Sequence, residues 1–176
     1  HRQNANPIGN QTHFIAGDKD GNVFFDSDQS LIRYDIQTQK FSCLRKSNVY
    51  TVASIKGTIW VGIADSILTW NPDKNDFDFV TRLENRNQRA TCLLEDSGGR
   101  YWIGTTDGLF KMNDDKSLTC MIMGEDIYDL YEDSKYNLWI SIRMNGMYKR
   151  DVHGNFTRYR YDPSNPNNIS SNQVRD

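Results

Sequence analysis

Histidine, cysteine and proline are scarce in this chain, neither charge sign prevails, and no long apolar run occurs. Each shortage excludes something. Only His1, His13 and His153 are present, and no Ser or Cys stands in a nucleophile-elbow pattern, so the signatures of histidine-assisted hydrolysis are missing. Acid–base chemistry would have to rest on carboxylates scattered over loops, a pattern that sequence does not reveal. Cys43, Cys92 and Cys120 are odd in number and lack metal-type spacing, which reads as buried thiols. With 21 basic and 23 acidic residues, the net charge of −2 offers no footprint for a nucleic-acid partner. No stretch reaches the length of a membrane helix, and the opening HRQNANP reads as a polar connector rather than a signal peptide. Two of the four prolines, Pro163 and Pro166, sit in an Asn-rich tract that forbids regular structure until Val174.

What is present is aromatic and repetitive. The 176 residues are 37% hydrophobic and 12% aromatic, enough for one all-β domain with a sizeable core. Leu93 to Met112 reads LLEDSGGRYWIGTTDGLFKM: an apolar run, an Asp-Ser-Gly turn, an aromatic run, a second turn and a third run. Runs this short, broken by Gly and Asp, make a β-meander. Leu130 to Tyr148 repeats it, and weaker copies lie at Val52 to Trp70 and Ile15 to Tyr34. The anchors Phe24, Trp60, Trp102 and Trp139 are 36, 42 and 37 residues apart. Leu31, Ile67 and Leu109 open a third strand seven residues after their anchors, whereas Met147 follows at eight. The fourth copy therefore has one extra residue in its second turn, Arg143-Met144-Asn145.

A fourth strand completes each copy, at Phe41 to Leu44, Phe77 to Val80, Leu118 to Met121 and Phe156 to Tyr161. The first copy is expected to start with a strand at Thr12 to Ala16. Four antiparallel strands in a period near 40 define a β-propeller blade. The spans are about 11–46, 47–87, 88–124 and 125–168, with 169–176 opening a further blade. A blade needs cover on both apolar faces, so the chain reads as a run of blades from a larger ring. The anchors are expected to pack between blades rather than stack on sugars. Asp18, Asp96 and Asp133, just ahead of turns, are expected to bond backbone amides; no metal loop is present and no cofactor is expected.

Glu95-Asp96-Ser97, Gly99, Trp102-Ile103-Gly104-Thr105 and Gly108-Leu109 resemble the two-component regulator propeller repeat. Glu132-Asp133-Ser134, Leu138-Trp139-Ile140 and Gly146 match it again, and Asp162-Pro163 to Val174 resembles the link between its blades. Copy two departs, with Ser54-Ile55-Lys56-Gly57 at the turn, and copy one has Phe24 in place of Trp. The resemblance implies a ring of about seven blades. It further implies the periplasmic sensor region of a membrane-anchored hybrid two-component regulator of Bacteroides-type bacteria. That segment would detect glycan-derived oligosaccharides, have no catalytic residues of its own, and signal to a histidine kinase. Its expected partners are an oligosaccharide, the remaining blades, downstream signalling domains and a possible second copy, but no nucleic acid. A propeller glycosidase or lyase and a protein–protein scaffold are the alternatives.

The place for a ligand follows from the meander. Turns between second and third strands open on the same face as the connectors between blades. Arg45, Lys46, Arg86, Arg89 and Arg143 gather there, with Asn145 in the lengthened turn. Loops that break a repeat are better candidates for function than loops that obey it. Arg86, Arg89, Arg143 and Asn145 are therefore the expected ligand contacts, the guanidinium groups suiting acidic sugars.

Overall fold

The computed structural model describes residues 11–85, 87–165 and 168–174. The chain divides into two compact units, His1–Asn87 and Gln88–Asp176. Each holds two four-stranded antiparallel sheets, with strands paired in chain order. Among the described residues there is no helix.

In the first unit, β1 (Ile15–Gly17), β2 (Val23–Ser27), β3 (Ser30–Asp35) and β4 (Lys40–Arg45) make the first sheet. The second comprises β5 (Val49–Ile55), β6 (Thr58–Ile63), β7 (Ser66–Asn71) and β8 (Asp76–Arg82). Phe24, Leu31, Ile59 and Val61 are fully buried between them. Trp70 sits 5.2 Å from both the Phe24 and Phe77 rings, and the Arg33 guanidinium lies 5.2 Å from its centroid. The first strand starts at Ile15 rather than Thr12. The buried Asp26 carboxylate explains this: it takes the backbone N–H of His13 at 2.8 Å and of Phe14 at 2.7 Å. Those amides bond a side chain instead of a neighbouring strand.

In the second unit, β9 (Ala90–Glu95), β10 (Tyr101–Thr105), β11 (Gly108–Met112) and β12 (Leu118–Met123) form the third sheet. The fourth has β13 (Ile127–Glu132), β14 (Leu138–Ile142), β15 (Met147–Arg150) and β16 (Phe156–Tyr159). Trp102, Leu109 and Cys92 of the third sheet pack against Ile127, Leu130, Leu138, Ile140 and Ile142 of the fourth. Gly104 makes this close approach possible, because a Cβ there would run into Cys92 Sγ and Ile127. Of the anchors, Phe24, Trp60 and Trp102 are buried. Trp139 is only half-buried. The thiols also differ from expectation. Cys92 is buried, and loss of hydration pushes it up to about 12, so it stays protonated. Cys43 and Cys120 lie exposed on the fourth strands of their sheets.

Candidate functional site

The repeated turns build scaffold. Asp96 Oδ1 accepts the backbone N–H of Gly98 and of Arg100, each at 3.0 Å, as an Asx-turn should. Its Oδ2 does more, accepting the Trp102 indole N–H at 2.8 Å and Arg100 Nε at 2.7 Å. Asp133 repeats the arrangement, with the Trp139 indole at 2.8 Å and Asn137 Nδ2 at 2.9 Å on Oδ2. The six-residue interval between Asp and Trp is thus a hydrogen bond as well as a register. Burial by itself would raise the Asp96 carboxyl, but the donors from Trp102 and Arg100 outweigh it and hold it below the ordinary carboxylate value. Hydrogen bonds from Asn137 and then Trp139 hold Asp133 far below that value. The rest of the motif ties neighbouring sheets together: Glu132 accepts from the Ser97 N–H at 2.7 Å and the Ser97 hydroxyl at 2.9 Å.

At the other ends of the strands, the hairpin between β14 and β15 departs from the pattern. Ser141 pairs with Met147, whereas Gly104 pairs with Leu109, so this turn has the extra residue. Ile142 N–H bonds the Gly146 carbonyl at 3.0 Å, closing a loop over Arg143, Met144 and Asn145. Met144 and Gly146 both take positive φ, and a side chain at Gly146 would strike the Tyr159 carbonyl. Beside the loop lies a groove of about 320 Å³ lined by Tyr128, Arg143, Met144, Gln173 and Val174.

Charge pairing sets the side chains of this groove. Arg143 Nε donates to Asp126 Oδ2 at 2.8 Å while its guanidinium lies 5.1 Å from the Tyr128 centroid. The side chain remains about half exposed, and its terminal Nη groups have no hydrogen-bond partner among the described residues. Asn145 is differently placed. Its amide donates to Glu125 Oε2 at 2.7 Å and accepts from Arg160, and Arg158 also donates to Glu125 at 2.7 Å. Asn145 therefore stiffens the loop and leaves Arg143 to project from it. Tyr128 owes its position to a β-bulge: Ile127 pairs with Ile142 and Asp129 with Ser141, leaving Tyr128 as the unpaired residue.

The expected ligand residues accordingly separate. Arg143 and Asn145 share the lengthened turn. Arg89 is not among the groove residues; its backbone N–H donates to Thr106 Oγ1 at 3.3 Å and its carbonyl accepts the Thr106 N–H, fastening the shorter hairpin of the third sheet. Arg86 lies outside the described residues. Arg45, on β4, is ion-paired with Asp76. Met144 belongs to the lengthened turn that the spacing singled out, whereas Tyr128 and Gln173 were not legible in the sequence. Only the extra residue of the fourth copy pointed toward them.

Residues 86–107 match the family model described as Two component regulator propeller. No curated protein matches the chain. Among solved structures it is similar to the extracellular domain of BT4673 from B. thetaiotaomicron, described as a hybrid two component system. That likeness has 19% identity and a TM-score of 0.80, over 98% of this chain and 25% of the other. The extracellular domain of BT3049, from the same organism and with the same description, matches at 20% identity and a TM-score of 0.74. That match takes in 93% of this chain and 23% of BT3049. Virginiamycin B lyase from Staphylococcus aureus is 15% identical, with a TM-score of 0.68, over 86% of this chain and 56% of the lyase. The chain spans about a quarter of the length of the two B. thetaiotaomicron structures. The structural likeness shows the propeller-blade fold, and the matched segment shows that this chain carries a two component regulator propeller repeat.

Proposed function

We propose that this chain is a ligand-sensing segment of the periplasmic part of a hybrid two-component signalling protein, and that its groove beside Arg143 takes a glycan fragment. The observation that carries the reading is the coincidence of the lengthened β14–β15 hairpin with a concave surface of mixed character. Its chemistry suits a sugar. The Tyr128 ring offers an apolar platform, the Gln173 amide offers a donor and an acceptor, and the Nη groups of Arg143 fork toward a carboxylate or sulfate. The ion pair with Asp126 fixes the Arg143 stem before any ligand arrives, which reduces the ordering cost of binding. The likeness to extracellular domains described as two-component systems supports the sensor role, and membrane anchoring and passage of the signal to a histidine kinase belong to the same proposal. Binding would act on such a kinase only through a difference in affinity between two arrangements of the sensor.

Calorimetric titration with a panel of neutral and acidic oligosaccharides tests this reading. Arg143→Ala is expected to weaken binding of an acidic member about tenfold or more, the effect of losing a charge-assisted hydrogen bond. Tyr128→Ala is expected to weaken neutral and acidic members alike. Unchanged affinity in both variants would remove the groove from consideration. The lyase likeness gives the enzyme reading its one support, and cleavage of a panel member during incubation would favour it.

A further inference from the structure

Met144, in the middle of the lengthened turn, takes a backbone conformation that does not suit it. Its φ is +57°, in the left-handed region where a Cβ crowds the following carbonyl. The corresponding turns of the first and second sheets put Asp28 and Ala64 in that region. An aspartate tolerates it by bonding locally, and alanine is small. The Met144 side chain gains nothing in burial to offset the strain, being 68% exposed. Folding therefore gives no reason for methionine here.

The groove gives one. Met144 lines it together with Tyr128 and Val174, so apolar groups there adjoin Arg143 and the Gln173 amide. Residues on either side hold Met144 in place: Arg143 pairs with Asp126 at 2.8 Å, and Asn145 donates to Glu125 at 2.7 Å. A thioether presented from so fixed a turn packs readily on a small apolar group, at little ordering cost. The Gln173 amide can donate to a carbonyl and accept from an N–H, the two bonds that an amide-bearing ligand needs. An acetamido group brings both the methyl and the amide, and Arg143 offers a seat for a carboxylate. On the reading that this groove takes a glycan fragment, we propose that Met144 determines its specificity, selecting an acidic sugar that carries an acetamido group.

The test titrates two sugars into the whole chain by calorimetry. One is sialyllactose, which bears a carboxylate and an acetamido group on one ring; the other is its analogue with a hydroxyl in place of the acetamido group. The unaltered chain is expected to bind the acetamido form several-fold more tightly. Met144→Gly is expected to remove most of that preference by weakening the acetamido form alone. Its urea midpoint should stay level or rise, because relief of the left-handed conformation offsets the backbone entropy of glycine. A preference that survives Met144→Gly, or equal weakening of both sugars, overturns the role of Met144. A lowered midpoint overturns it too, since methionine would then have a structural reason to be there. So does an unaltered chain that binds neither sugar or both alike. Arg143→Ala and Tyr128→Ala judge the groove separately. Weaker binding in those two variants with Met144→Gly unaffected sinks the specificity alone, whereas unchanged binding in all three removes the groove as well.

Discussion

The third and fourth sheets have the same motif and hold the same tryptophan in different surroundings. In both, an aspartate six residues earlier accepts the indole N–H at 2.8 Å. Trp102 is nevertheless 1% exposed, while Trp139 is half-buried and looks onto a hollow. An Arg150 guanidinium from the neighbouring sheet lies 5.2 Å from the Trp102 centroid, whereas Trp139 has Lys149 from its own sheet at 5.7 Å. The difference separates two jobs that sequence repeats tend to merge. The turn orients the tryptophan by local hydrogen bonds; only a neighbouring sheet buries it. A motif of this kind fixes direction, and packing supplies most of the stabilisation.

The comparison is sharpened first by truncating the two rings. Trp102→Ala is expected to cost about 3–5 kcal/mol in urea unfolding, the usual range for a large buried aromatic. Trp139→Ala is expected to cost no more than about half of that, because part of its surface is already wet. Equal losses would break the comparison. A smaller effect is expected from the acceptors. Asp96→Ala leaves the buried Trp102 N–H without its partner and should cost about 1–3 kcal/mol, while Asp133→Ala should shift the urea midpoint less and in the same direction.

The smallest effect is in acid. Both carboxyls are held below their ordinary value in the folded protein, so on acidification the unfolded chain takes up protons first. Their contribution is full above about pH 4, the unfolded carboxyl value, and is lost as pH falls toward the folded values. Unfolding midpoints measured from about pH 5 downward should therefore decline, and less steeply in the Asp96→Ala and Asp133→Ala chains. An unaltered slope in both variants would mean that other carboxylates govern acid stability.

The strand order was legible because Trp102 and Trp139 sit among β-branched residues at a fixed distance from an Asp-Ser turn. The number of sheets followed once Phe24 and Trp60 were placed in the same register. Other features depend on geometry that spacing does not contain. The start of β1 moved because Asp26, twelve residues away, takes the amide of Phe14. The seat of Glu132 on Ser97 joins residues 35 apart in two different sheets. Cys43 and Cys120 are exposed because fourth strands leave one side wet, which a thiol's average preference for the interior does not show.

The candidate site was legible to about the same degree. One extra residue before Met147 singled out the hairpin with Arg143 and Asn145. Tyr128 escaped notice because a bulge, not strand alternation, sets its position. Arg89 has the charge expected of a ligand contact, and its backbone is bonded to Thr106 in the shorter hairpin of the third sheet.

The contrast between the ordinary hairpin of the third sheet and the lengthened one of the fourth can be read directly. Amide and side-chain NMR shifts of the labelled chain, followed during titration with the oligosaccharide panel, would locate a ligand residue by residue. The expected result is a set of shifts confined to Tyr128, Arg143, Met144, Gln173 and Val174, with Arg89 and Thr106 unmoved. Shifts gathered instead at the Asp96–Gly99 and Asp133–Tyr136 turns would contradict the assignment of function to the hairpin that breaks the repeat.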